Sequence, residues 1–208
     1  MKKIIKLALA LLIASSVLFL TGCEKEKDDN TTQITYTHGK GIVKLNVPKD
    51  AEGNAKYTFT TTKPEGISTS STFYLVTDTA MFGFSTSGLS YNTGKEYKAK
   101  YGETKATFDG YLEFMDDESL SSRPKLAGIE RFELNGRKAL RYYNRTGGGN
   151  NYEYYGYFYM VGADDIYPGS KFNMTVNYIV DERPKEVKEF DEETLSIIKS
   201  LKIEPITE

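Results

Sequence analysis

The chain has 208 residues, of which 13% are aromatic, with sixteen tyrosines, one histidine, one cysteine and no tryptophan. Its formal charge is −2 and no basic stripe runs along it, which excludes binding of nucleic acid chiefly through phosphate contacts. A single cysteine excludes an internal disulfide, and a lone histidine excludes both a His/Cys zinc set and a nucleophile–histidine–acid arrangement away from His38, so no metal or cofactor is expected.

Lys2, Lys3 and Lys6 precede an apolar run over residues 7–20, shorter than the roughly 20 residues a spanning helix needs. A basic start, a short apolar core and a small residue before a cut mark residues 1–22 as a secretory signal peptide. The ending Leu20-Thr21-Gly22-Cys23 resembles the bacterial lipobox. That resemblance implies cleavage before Cys23, acyl chains on Cys23, and a protein held outside the cytoplasm on the cell membrane or outer membrane. Loss of the signal removes three of 27 basic residues and none of 29 acidic ones, leaving a charge of about −5 with His neutral.

Residues 23–40 are charged and then polar, which predicts a flexible tether, with His38 as a solvated residue at its edge. Within them Lys27-Asp28-Asp29 resembles the Lys-acidic-acidic element of some surface-exported lipoproteins, although such charge runs commonly serve as linkers. A single globular domain is expected over residues 41–208. Val43, Leu45 and Val47 alternate up to Pro48 and predict its first strand. A second strand over 57–62 ends at Lys63-Pro64-Glu65-Gly66, and segments 71–78 and 80–86 predict a hairpin with Phe73, Leu75, Phe82 and Phe84 inward. The polar segment 94–102 reads as a short helix or a loop. Phe108, Tyr111, Leu112 and Met115 then fall at i, i+3, i+4 and i+7 behind Thr107 as N-cap. They predict an amphipathic helix despite Gly110 within it and acids at its end.

Residues 126–180 predict a four-strand antiparallel meander. Asn135-Gly136 is a two-residue hairpin turn, placing Leu134 opposite Arg137, Glu133 opposite Lys138 and Glu130 opposite Arg141. A Gly/Asn loop over 146–151 leads to a tyrosine-rich strand, 152–161, and a turn over 164–169 leads to a strand in which Phe172, Met174, Val176 and Tyr178 alternate with Asn173, Thr175 and Asn177. The C-terminal helix carries Asp191 as N-cap, Phe190 and Leu195 as a staple, and Leu195, Ile198 and Leu201 as its buried stripe.

A meander through Ile129 and Asn135, followed by Gly136-Arg137-Lys138-Ala139 and a closing Ile197-Ile198-Lys199-Ser200-Leu201-Lys202-Ile203, resembles PsbP-like extracytoplasmic proteins. The resemblance implies an α+β fold, an antiparallel sheet between helices in an α/β/α sandwich, and it carries over no catalytic residue.

Strict alternation puts Tyr152, Tyr154, Gly156, Phe158 and Met160 on one face of the tyrosine strand and Glu153, Tyr155, Tyr157, Tyr159 and Val161 on the other. One aromatic face is core. The other is either covered by a second layer or left as a platform, in which Tyr155, Tyr157, Tyr159 and Glu153, edged by Asn173, Asn177 and Arg141, suit a glycan or an envelope protein. The expected activity is non-enzymatic binding at the membrane surface. The alternatives are a glycoside-type hydrolase pairing Glu153 with a second carboxylate, and an assembly factor for a membrane complex. Asp164 and Asp165 read as a turn in preference to a Ca²⁺ site.

Overall fold

The fold is built from short strands whose apolar residues recur at every second position, in a computed structural model that describes residues 29–65, 71–89, 107–117 and 125–207. In chain order its elements are β1 (Thr31–His38), β2 (Gly41–Pro48), β3 (Phe59–Thr60), β4 (Phe73–Val76), β5 (Ala80–Gly88), α1 (Phe108–Asp116), β6 (Glu130–Leu134), β7 (Arg137–Gly148), β8 (Asn151–Gly162), β9 (Ser170–Tyr178), α2 (Glu192–Lys199) and β10 (Lys202–Pro205). The signal peptide, Cys23, Lys27-Asp28 and the polar segment 94–102 lie outside the described residues.

All pairings between these strands are antiparallel, in a three-stranded sheet ordered β1-β2-β10 and a seven-stranded sheet ordered β3-β4-β5-β9-β8-β7-β6. The meander appears as β6-β7-β8-β9, with each of the three cross-strand pairs around Asn135-Gly136 in the expected register. Arg141 Nε bonds Glu130 at 2.8 Å, whereas Lys138, in register with Glu133, reaches Asp109 of α1 at 2.8 Å.

The smaller sheet was not foreseen. Residues 31–38, expected in the tether, pair with β2 from Thr31↔Pro48 to His38↔Gly41, because Ile34 and Tyr36 stand beside Leu45 and Val43 on the buried side. Ile203, expected to close the last helix, instead sits in β10 opposite Val43. The main core fills the space between the two sheets. Val43, Leu45 and Val47 meet Phe73, Phe82, Phe84, Phe172, Met174 and Val176 there, with rings stacked at 4.1 Å for Tyr36–Phe73 and 4.8 Å for Phe73–Phe84. His38 is therefore no linker residue. It is half-buried, 5.3 Å from the Phe73 ring and 5.9 Å from the Tyr167 ring, with Nε2 3.4 Å from Thr86 Oγ1.

Both helices start as their caps require. Thr107 Oγ1 accepts from Gly110 N at 3.1 Å, and Asp191 Oδ1 accepts from Thr194 N at 2.8 Å. α1 places Phe108, Tyr111, Phe114 and Met115 against Leu140 and Met160 on the outer face of the large sheet. α2 buries Thr194, Ile197 and Ile198, while Leu195 is only half-buried, so its stripe is shifted from the expected one. The C-terminal end of α2 is tied to the meander by Asn135, whose Nδ2 donates to the carbonyls of Lys199 at 2.7 Å and Leu201 at 2.8 Å.

Asn135 holds a positive φ of 48° as well as those two carbonyls. Replacing it by Ala should cost about 2 kcal/mol, roughly half from left-handed backbone and half from the lost bonds. Asn135→Gly should cost about 1 kcal/mol, since it loses only the bonds. Urea unfolding of the two variants reads the difference. Burial lowers the His38 pKa below its ordinary 6.5, so the unfolded chain binds more protons in the window beneath 6.5 and stability falls as pH drops through it. Between pH 7.5 and pH 5.5 the wild type should lose more stability than His38→Gln; an equal loss in both would contradict this.

Candidate functional site

β8 changes face partway along its length. Asn144 of β7 faces Gly156, but the next residue, Arg145, faces Tyr154, so Tyr155 is an extra residue in a β-bulge. Gly156 makes the bulge possible: its φ is 144°, and a Cβ there would collide with the carbonyl oxygen of Val176. The strict alternation expected from the sequence breaks at this point. Beyond the bulge Tyr157, Tyr159 and Val161 enter the core between the sheets, and before it Tyr154 shares their side, meeting Tyr143 edge-on at 5.7 Å as Tyr157 also does.

The seven expected site residues consequently occupy different places. Tyr157 and Tyr159 are 1% and 2% exposed and form no platform. Burial pushes both phenols up, Tyr159 to about 12, so each is neutral at neutral pH. Arg141 lies on their side, its guanidinium 4.4 Å from the Tyr157 ring centre and bonded to Glu130 and Glu189. Burial opposes its charge, but the two carboxylates outweigh this and raise its pKa above the ordinary value. Glu189 also accepts from the Tyr157 hydroxyl at 3.1 Å. Asn173 and Asn177 point to the other face and are buried there; Asn144 Nδ2 donates to Asn177 Oδ1 at 2.7 Å, and Asn173 Nδ2 donates to Ser87 Oγ at 2.9 Å. Glu153 is exposed, 3.7 Å from Arg183.

Of the seven, Tyr155 and Asn177 meet at a common surface. Pairing of β8 with β9 stops at Gly156↔Asn177, and the chain after β9 returns to take the vacated edge, Tyr154 N donating to Pro184 O at 3.0 Å. A groove of about 260 Å³ results, lined by Tyr154, Tyr155, Asn177 and Tyr178 and closed by Glu65, Met81, Ile179, Val180 and Arg183. Arg183 lies 3.6 Å from the Tyr155 ring centre and donates to its hydroxyl. Ile179 and Val180 are 40% and 51% exposed, and Val76, opposite Met81, is 37% exposed. Large apolar side chains thus gather in water around Arg183, which has Glu153 at 3.7 Å, with Glu65 at the edge of the same groove. Arg183 was missed because its segment has no periodicity; the run Tyr178-Ile179-Val180 leading into Asp181 was the visible signal.

A second hollow of about 360 Å³ lies between α1 and β6–β7, but its charges are matched: Lys138 holds Asp109, and Arg131 grips Asp116 at 2.5 and 2.6 Å. In the 164–169 turn both oxygens of Asp165 take the Arg137 guanidinium, at 2.6 and 2.9 Å, and Asp164 Oδ2 accepts from Phe108 N at 2.8 Å. Among the described residues no group of three or more His, Cys, Asp or Glu converges to hold a metal.

No protein-family model matches the chain, and no curated protein is similar to it.

Gly156→Ala should cost about 3 kcal/mol or more, from a strained φ and a backbone clash, and should open the groove by undoing the bulge. Thermal unfolding with near-ultraviolet dichroism of the tyrosines checks it; a variant within about 0.5 kcal/mol of wild type would show that the bulge does not need glycine.

Proposed function

We propose that this chain is a lipid-anchored extracytoplasmic protein whose domain binds a protein partner of the envelope, without catalysis, at the groove between Tyr155 and Val180. The observation that carries the binding reading is the gathering of exposed Val76, Ile179 and Val180 beside Tyr155, Tyr178 and Arg183. Contiguous apolar surface rimmed by polar groups is characteristic of interaction sites. One face of the Tyr155 ring is occupied by Arg183, whose charge already has Glu153 at 3.7 Å; this disfavours sugar stacking and favours an extended segment with apolar side chains.

The anchor rests on Leu20-Thr21-Gly22-Cys23. Two or more acyl chains give firm attachment where one gives marginal binding. The PsbP-like reading is supported by α1 on one face of the antiparallel sheet and by α2 contributing Ile197 and Ile198 to the core on the other, with the β1-β2-β10 sheet as an addition to that plan. Against a hydrolase stand the arginine partners of its candidate carboxylates, Arg183 for Glu153 and Arg141 for Glu130.

Cys23→Ser should move the protein from the membrane to the soluble fraction. A photo-crosslinker at Val180 should give a discrete adduct in cells, removed by Tyr155→Ala, whereas one at exposed Glu52 should not. Absence of any adduct, together with binding of peptidoglycan fragments that Tyr155→Ala abolishes, would replace the protein partner by a glycan.

A further inference from the structure

Each of the two sheets ends in two edge strands, and the outward N–H and C=O groups of an edge can recruit a further strand. Three of these four edges are guarded. β3 is two residues long, β6 carries Glu130, Arg131 and Glu133, and β10 is four residues long, ends in Pro205 and has its Ile203 carbonyl taken by Arg137 at 2.9 Å. β1 has no such guard. Its eight residues, Thr31–His38, include no Asp, Glu, Lys, Arg or Pro, and its pairing with β2 runs without a bulge.

The β1–β2 hairpin decides which groups of β1 face outward. A two-residue turn closes on a hydrogen-bonded pair, here His38↔Gly41 around Gly39-Lys40, so Tyr36, Ile34 and Thr32 also bond to β2. Gln33, Thr35 and Thr37 then turn their backbone groups to the free edge, where no backbone partner meets them among the described residues, and all three are exposed. On the core side Ile34 and Tyr36 remain only half-buried, as does Phe59 of β3, whose ring lies 5.8 Å from that of Tyr36. The core is thus left open along this flank.

We propose that β1 pairs antiparallel with β1 of a second copy of this chain, about a two-fold axis at Thr35, joining two three-stranded sheets into one. In that register Thr35 faces the partner's Thr35, Gln33 faces the partner's Thr37, and about six N–H···O bonds form between the outward residues. Ile34 meets the partner's Tyr36 on the core side and closes the open flank. The strand is its own complement: apolar residues meet apolar ones on the inner face, polar meet polar on the outer face, and no like charges are opposed. That match selects a second copy over an unrelated strand, and a two-fold pairing consumes both free edges and stops there. It does not depend on what the groove at Tyr155 binds, nor on the anchor, with which it is compatible: the two Thr31 residues lie roughly 26 Å apart, and the eight steps from Cys23 to Thr31 reach up to ~29 Å.

The full chain lacking residues 1–22 and carrying Cys23→Ser has no thiol and serves as the parent protein. By sedimentation equilibrium it should form dimers with a micromolar Kd. Thr35→Glu should weaken the dimer at least tenfold without lowering Tm, because two carboxylates then face each other across the axis while Lys44, opposite Thr35 in β2, supports each within its own chain. A thiol introduced by Thr35→Cys should oxidise to a disulfide-linked dimer, the two Cα atoms being about 5.5 Å apart, whereas thiols introduced by Thr37→Cys, roughly 13 Å apart, should not. A parent protein that is purely monomeric at roughly 100 μM would overturn the proposal and leave the edge to a strand of another protein. So would a dimer that Thr35→Glu leaves unchanged, or disulfides that form as readily in Thr37→Cys as in Thr35→Cys. Should Thr35→Glu not fold, the two cysteine variants decide.

Discussion

Insertion of one residue at Tyr155–Gly156 decides which tyrosines this domain hides. Without the bulge, β8 would alternate from end to end and Tyr155, Tyr157 and Tyr159 would share a surface. With it, Tyr154 and Tyr157 are on the same side, Tyr157 and Tyr159 are sealed between the sheets, and Tyr155 is left at the rim. The insertion is possible because Gly156 lacks a Cβ at a point where Val176 and Asn177 of β9 leave no room. The same irregularity ends the β8–β9 ladder early, and the freed edge is taken by the segment around Pro184. Bulge, groove and return segment are one structural event.

That return segment also secures the buried phenols. Glu189 reaches the Tyr157 hydroxyl and Arg141, Arg141 reaches Glu130, and Phe190 packs at 5.5 Å from Tyr157 and 4.9 Å from Tyr178. A half-buried cation over an aromatic ring thus has its charge met by two carboxylates that themselves remain in water. From Phe190 the chain enters α2 through the Asp191 cap, and Asn135 then fastens the far end of that helix to the meander. The groove at Tyr155 thus sits beside a hydrogen-bonded frame, with apolar Ile179 and Val180 exposed at its edge.

The meander was legible in the sequence because each of its signals is local. Asn135-Gly136 sets its own register through positive φ, and Thr107 and Asp191 mark helix starts within three residues of the groups they cap. The β1-β2-β10 sheet was illegible for the opposite reason. β1 reads as polar, with Ile34, Tyr36 and His38 directed inward, and its strand character depends on β2 and on Phe59 and Phe73 of the other sheet. β10 depends on a partner some 160 positions earlier, since Ile203 lies opposite Val43. The candidate site failed on a single register change: period two described both halves of β8 correctly but not the glycine between them, and Gly156 in an aromatic strand was the one local mark of a bulge.

Residue-resolved nitration of tyrosines in the folded protein tests the role of the bulge most directly. Exposure to tetranitromethane, followed by peptide mass spectrometry, should modify Tyr155 readily while Tyr157 and Tyr159 resist until the protein unfolds. Reaction of Tyr157 as fast as Tyr155 under native conditions would mean that β8 alternates without interruption and that the aromatic platform, not the rim groove, is the exposed surface.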